Sequence, residues 1–172
     1  MDKKDKTAYT VNDYVTYRKT GVCKITEISV QNFGGQGKKE YYVLTSVYDE
    51  NTRVFVPIGS ELEKEIRRAL TVEEIHSIIE ESKNIDDLWL DDCKSRTALF
   101  EEIINSGDKV KMLWIVRAVC AYKEEMENAK KKMRAMDLRY LSIAESILSG
   151  DFAYALGVPK NEVMKYINEY SK

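Results

Sequence analysis

An abrupt change of sequence grammar near residue 60 limits what this chain can fold into more than any other feature. Before it, short runs of Val, Ile and Tyr are punctuated by Gly and Asn, the pattern of strands joined by tight turns. After it, apolar residues recur three and four positions apart, the spacing of helices that bury one face. The 172 residues are 44% hydrophobic, enough to build one domain or two small ones around a core. A strand-rich module followed by a helical one is the expected order, which makes the chain α+β.

In the first module, Tyr14-Val15-Thr16-Tyr17 and residues 22–28 read as strands separated by Gly21. Strict alternation puts Val22, Lys24, Thr26 and Ile28 on one face and Cys23, Ile25 and Glu27 on the other. Asn32-Phe33-Gly34-Gly35-Gln36-Gly37 is a loop of residues that tolerate positive φ. Tyr41-Tyr42-Val43-Leu44 and Val54-Phe55-Val56 follow, joined through the turn Asp49-Glu50-Asn51, and Pro57 ends the last run. About five short strands predict a small, curled antiparallel sheet or barrel. An unpaired edge would be its natural docking surface, because an open ladder accepts a strand from a partner. A purely structural sheet is the alternative.

In the second module, Ser60 followed by Glu63 suggests a capping box opening a short helix toward Arg67 and Arg68. Thr71 followed by Glu74 repeats the signal before Ile75, Ile78 and Ile79. Residues 85–90 read as a connector. Leu99, Phe100, Ile103 and Ile104 mark the next helix, which Gly107 ends and after which Asp108 caps another. That one carries Val110, Leu113, Trp114 and Arg117, and continues toward residues 124–134 or breaks within them. A helix through Leu138, Leu141, Ala144 and Leu148 is expected to stop at Gly150-Asp151, with a short one closing at Gly157 and a last one after Pro159.

Charge is polarised within this half. Residues 71–108 hold eleven carboxylates against Lys83, Lys94 and Arg96, whereas residues 109–139 carry nine basic and four acidic side chains. Only the second stretch suits phosphate contact, although such clusters are also common on solvated helix faces. Lys109, Lys111, Arg117, Lys123, Lys130, Lys131, Lys132, Arg134 and Arg139 are the basic candidates.

No catalytic constellation joins the two parts. His76 is the single histidine, and no Cys or His stands at metal-ligand spacing from it. Cys23, Cys93 and Cys120 form no Cys-x-x-Cys pair and read as reduced packing residues of an intracellular chain without a leader. Asp86-Asp87 and Asp91-Asp92 lack the spacing of a calcium loop. Trp114 faces the apolar side of its helix. Trp89, in the acidic connector, is open to two roles: buried, it would pin the interdomain crossing, and exposed, it would wedge against a base step or anchor a protein.

Val11-Asn12-Asp13-Tyr14-Val15-Thr16-Tyr17, Gly21-Val22-Cys23-Lys24-Ile25, Tyr41-Tyr42-Val43-Leu44 and Val54-Phe55-Val56-Pro57 follow one another in order. This succession resembles the CarD/CdnL transcription regulators, whose N-terminal module is shared with the polymerase-interacting domain of transcription-repair coupling factor. Ile66-Arg67, Leu70-Thr71, Glu73-Glu74, Trp89, Arg96 and Ser106-Gly107-Asp108 continue the match, and residues 138–157 look like the family's closing helices.

The polar N-terminus, residues 1–9, is expected to be flexible, and the resemblance implies a Tudor-like barrel at 10–59 and a helical, DNA-facing domain at 60–172. The barrel would dock on the β subunit of bacterial RNA polymerase, with Tyr17, Arg53, Val54 and Phe55 as its contacts. The helical domain would meet promoter DNA at the upstream edge of the melted region, with Trp89 as a minor-groove wedge that stabilises the open complex. Arg96, Lys109, Lys111, Arg117, Lys130, Lys132 and Arg134 would complete the DNA-binding set. Asp91 and Asp92 beside Trp89 oppose phosphates, so docking carries over more directly than DNA affinity. The expected protein is a cytoplasmic, non-enzymatic monomer without cofactor or membrane anchor. A protein-only adaptor, with Trp89 anchoring a protein partner, is the rival.

Overall fold

The computed structural model describes residues 8–35 and 37–171, so most of the terminal segment assigned to flexibility, and Gln36 of the Gly-rich loop, lie outside the described residues. The chain divides into two compact units, Met1–Ala69 and Leu70–Lys172. Among the described residues, the first holds a five-stranded antiparallel sheet and the second five α-helices, which is the expected α+β class.

The strands are β1 (Tyr14–Tyr17), β2 (Gly21–Gln31), β3 (Lys39–Ser46), β4 (Arg53–Pro57) and β5 (Ile66–Arg68), in the spatial order β4-β3-β2-β1-β5. Gly21 makes the sharp β1–β2 reversal possible: its φ of 74° is open to glycine and strained for other residues. Val15, Tyr17, Cys23, Ile25, Tyr42, Leu44, Val56 and Ile66 form the core on one face. A bulge between Ile25 and Glu27 corrects the alternation read from sequence. It slips the phase of β2 so that Ile28, paired with Tyr42, packs on the same core as Cys23 and Ile25. The Thr26 hydroxyl there donates to the Val43 carbonyl at 3.2 Å.

The structure also corrects residues 60–69. Ser60 and Glu63 make no capping box, and no α-helix follows. The Ser60 hydroxyl donates to the Pro57 carbonyl, while the Glu63 carboxylate accepts from the Gly59 amide at 2.6 Å and the Tyr42 hydroxyl at 3.3 Å. Ile66 then enters the core and β5 pairs with β1 in the register Tyr17↔Ile66 to Val15↔Arg68. Non-local burial outweighs a local cap whose side chains have better partners elsewhere. Tyr9, the last residue of the segment expected to be flexible, is fixed as well. Its hydroxyl donates to the Ile66 carbonyl at 2.9 Å and its ring packs edge-on to Tyr42.

In the second unit the helices are α1 (Val72–Glu81), α2 (Cys93–Ser106), α3 (Lys109–Asn128), α4 (Ala135–Leu156) and α5 (Val163–Tyr170). The capping box of α1 forms as expected, with the Thr71 amide 2.8 Å from Glu74 and the Glu74 amide 3.2 Å from the Thr71 hydroxyl. Asp92 and Asp108 cap α2 and α3, and Gly107, at φ 75°, closes α2. Gly150-Asp151 does not interrupt α4, contrary to the expected stop. The Asp151 carboxylate lies 2.5 Å from the Lys109 ammonium, so it is a packed ion-pair partner rather than a cap. The core joins Ile75, Ile79, Phe100, Met112, Leu113, Ile115, Leu148, Phe152 and Ile167, and Trp114 lies within it. Among the described residues no helix is long and apolar enough to cross a membrane.

Candidate docking edge and nucleic-acid interface

Among the described residues of the strand unit, β4 has a hydrogen-bonded neighbour on one side only, β3. Arg53 and Phe55 on this edge are exposed and Val54 is half-buried against the core. Phe55 pairs with Val43 across the ladder, on the face opposite Tyr42 and Leu44. Its ring meets Phe33 edge-on at 5.3 Å, and Phe33 meets Tyr41 at 5.2 Å. Phe33 thus packs against both Tyr41 and Phe55, and Phe55 and Phe33 remain 41% and 51% exposed. Three of the four expected docking residues lie together at this edge. Tyr17 does not join them: it points into the core, 5% exposed, on the same face of β1 as Val15, and β1 lies between β2 and β5. Burial pushes the Cys23 thiol up to about 11, in keeping with a packing role.

In the helical unit, Trp89 is neither sealed in the core nor free. It is half-buried, with its ring 4.7 Å from Tyr122 on α3 and 6.3 Å from Phe100 on α2. Its amide donates to the Asp87 carboxylate at 2.9 Å. The Arg96 guanidinium lies over the Trp89 ring, 4.4 Å from its centroid, a cation–π contact made on the inner side of the ring.

Arg96 is therefore not the surface phosphate contact expected of it. It is 2% exposed and forms a two-pronged ion pair with Asp137, with Nε 3.1 Å from Oδ1 and Nη2 2.8 Å from Oδ2. Nη1 donates to the Leu90 carbonyl at 2.6 Å and the Asp91 carbonyl at 3.3 Å. The hydrogen bonds to Asp137 hold the guanidinium pKa above its ordinary value against the opposing effect of burial. A cation so enclosed by protein acceptors has no donor to offer a phosphate.

The other basic candidates separate in the same way. Lys109 is engaged with Asp151. Arg117 donates to the Ser171 hydroxyl at 3.1 Å, and burial pulls its pKa below the ordinary value. Both belong to the framework of the unit. Lys111 is exposed, 3.8 Å from Asp108. Lys130, Lys131, Lys132 and Arg134 are all exposed on the loop between α3 and α4.

That loop has a defined shape. The Lys130 amide donates to the Glu127 carbonyl and the Lys131 amide to the Met126 carbonyl, the paired bonds of a Schellman motif. Lys130 occupies its left-handed position at φ 54°, a place helices usually give to glycine. Met133 then packs on the helical core, anchoring the loop between Lys132 and Arg134. Arg134 is the residue before α4, and its charge acts on the Asp92 carboxyl at the start of α2, next to the Trp89 connector. A half-exposed indole and a cationic loop thus flank the same helix ends.

Sequence reasoning did not find Asp137, Tyr122 or Phe33 as site residues. Asp137 carried one signal, an acidic residue in the first turn of a helix, which points to a dipole role rather than to Arg96. His76 sits apart from the indole site, with Nε2 2.7 Å from the Tyr166 hydroxyl. Among the described residues no group of three His, Cys, Asp or Glu side chains is arranged to hold a metal.

Residues 9–70 match the model of the CarD-like/TRCF RID domain. No curated protein matches the chain. The matched stretch covers the whole five-stranded sheet, including β5 and the Tyr9 anchor. Residues 9–70 therefore carry a CarD-like/TRCF RID domain, a module of RNA polymerase-interacting transcription factors.

Proposed function

We propose that this protein regulates transcription by binding rather than catalysis, docking through its RID module on the β subunit of bacterial RNA polymerase and stabilising the open promoter complex. The β4 edge, with Arg53, Val54, Phe55 and the adjoining Phe33, is the docking surface. An open ladder supplies backbone pairing and the exposed aromatic pair supplies the anchor. The helical unit faces promoter DNA at the upstream edge of the bubble. There Trp89 meets the minor groove, while Lys130, Lys132 and Arg134, with Lys111 as an outer contact, neutralise phosphates.

The observation that carries this reading is the half-exposed Trp89 ring, backed by Arg96 and Tyr122 beside a loop of four exposed cations. A rigid aromatic supported from behind can enter a base step without losing the order of a free side chain. Contact made only with melted DNA lowers the energy of that state relative to the closed one, and about 1.4 kcal/mol of preference shifts the equilibrium tenfold. Open-complex lifetime, measured with Trp89→Ala and Phe55→Ala, tests both halves. Trp89→Ala should shorten the lifetime about tenfold without weakening polymerase binding, whereas Phe55→Ala should weaken the binding itself. Equal lifetimes for Trp89→Ala and wild type would remove the wedge.

Asp86, Asp87, Asp91 and Asp92, all exposed around Trp89, favour a second reading in which the helical unit is an adaptor for a basic protein surface. Absence of binding to forked promoter duplex at every salt concentration, with polymerase present, would select it.

A further inference from the structure

Residues 85–90 form neither helix nor strand, so no backbone ladder holds the Trp89 ring in place. Arg96 holds the segment instead. Its Nη1 group closes on two connector carbonyls, Nε and Nη2 close on Asp137, and Nη2 also lies 3.9 Å from the Cys93 sulfur. With its donors taken, the guanidinium plane is fixed, and Trp89 stacks on it. Asp137 is the third residue of α4, just after the anchored loop that ends at Arg134. One buried ion pair thus spans 41 positions of sequence and ties the tryptophan connector to the end of the cationic loop.

We propose that Arg96 and Asp137 are positioning residues, which fix the pose of Trp89 and its spacing from Lys130, Lys132 and Arg134. The pair itself makes no contact with nucleic acid. Its consequence for promoters rests on the function proposed above; its effect on Trp89 does not. A fully satisfied buried polar pair specifies geometry more than it adds stability, and apolar replacement of both partners commonly leaves a fold intact. Removal of the pair should therefore release the indole while the helices persist.

The test uses the full chain in a Trp114→Phe background, where Trp89 is the remaining tryptophan. Acrylamide quenching and emission maximum are compared for the background, the double variant Arg96→Met/Asp137→Leu, and Asp137→Asn, which keeps the shape and removes the charge. Variants that retain helical circular dichroism and a cooperative melt should show at least a twofold rise in the quenching constant and a red shift. Arg96→Lys should behave likewise, because an ammonium cannot form the two-pronged pair and stack at once. An unchanged quenching constant in a folded double variant, or in Asp137→Asn if the double variant does not fold, overturns the positioning role whatever the promoter assay gives. Raised quenching together with an open-complex lifetime indifferent to Trp89→Ala supports the positioning role and sinks the promoter reading.

Discussion

His76 Nε2 and the Tyr166 hydroxyl lie 2.7 Å apart, joining the middle of α1 to α5. Tyr170 stacks on the same imidazole, with centroids 4.1 Å apart and planes 13° from parallel. The lone histidine is thus a side-chain clasp for the last helix. His76 and Tyr166 are half-buried, so the hydroxyl contributes the modest net value of a solvent-competed hydrogen bond. Tyr166→Phe should lower unfolding free energy by about 0.5–1 kcal/mol, measured by urea titration, with little change in slope. A variant as stable as wild type would show that water replaces the bond without penalty.

Gly150 offers the opposite case. It lies inside α4, its φ is not positive, and a Cβ placed on it would meet nothing within 4 Å. Glycine in a helix interior costs about 0.5–1 kcal/mol relative to alanine. Gly150→Ala should therefore raise the melting midpoint by a few degrees. A lower midpoint would mean that the helix uses glycine's freedom at this position.

What the sequence made legible follows from how local each interaction is. Thr71 and Glu74 could be read as a cap because each partner's best contact lies three residues away. The same spacing at Ser60 and Glu63 misled, because Tyr42, 21 positions off, takes the carboxylate. Arg96 looked like a surface cation for a similar reason: Asp137 and the connector carbonyls come together only in the tertiary fold. Lys109 and Asp151 repeat the case. Lys130, Lys132 and Arg134 were legible as a charge run with no apolar stripe, and they are exposed. The Ile25–Glu27 bulge left no mark in the alternation of β2, so Ile28 was placed on the wrong face.

Asp92 provides a pH dependence. The Ser95 backbone amide, then its hydroxyl, hold the Asp92 carboxyl below the usual carboxylate range. Its folded pKa is therefore lower than its unfolded value of about 3.9. The stability it contributes is fully present above that unfolded value and is lost as pH falls through the depressed folded one. Asp92→Ala should lower the denaturation midpoint at about pH 7, and the gap from wild type should narrow toward about pH 2. A gap of constant size would mean that the cap works through shape rather than charge.

Lys130 separates stability from binding. A non-glycine residue in the left-handed conformation costs about 1 kcal/mol, and here the Schellman bonds of α3 enforce it. Lys130→Gly should relieve that strain and raise stability by about 1 kcal/mol while removing one exposed cation. If the loop meets phosphates, salt dependence of binding to a forked promoter duplex in the polymerase complex should fall by about one unit of log–log slope for each phosphate-binding cation removed. Lys130→Gly, Lys132→Gln and Arg134→Gln should each lower it. Lys109→Gln, which breaks the packed pair with Asp151, should instead destabilise the helical unit and leave the slope unchanged. A more stable Lys130→Gly that binds with undiminished slope would show that the strained lysine serves something other than phosphate contact.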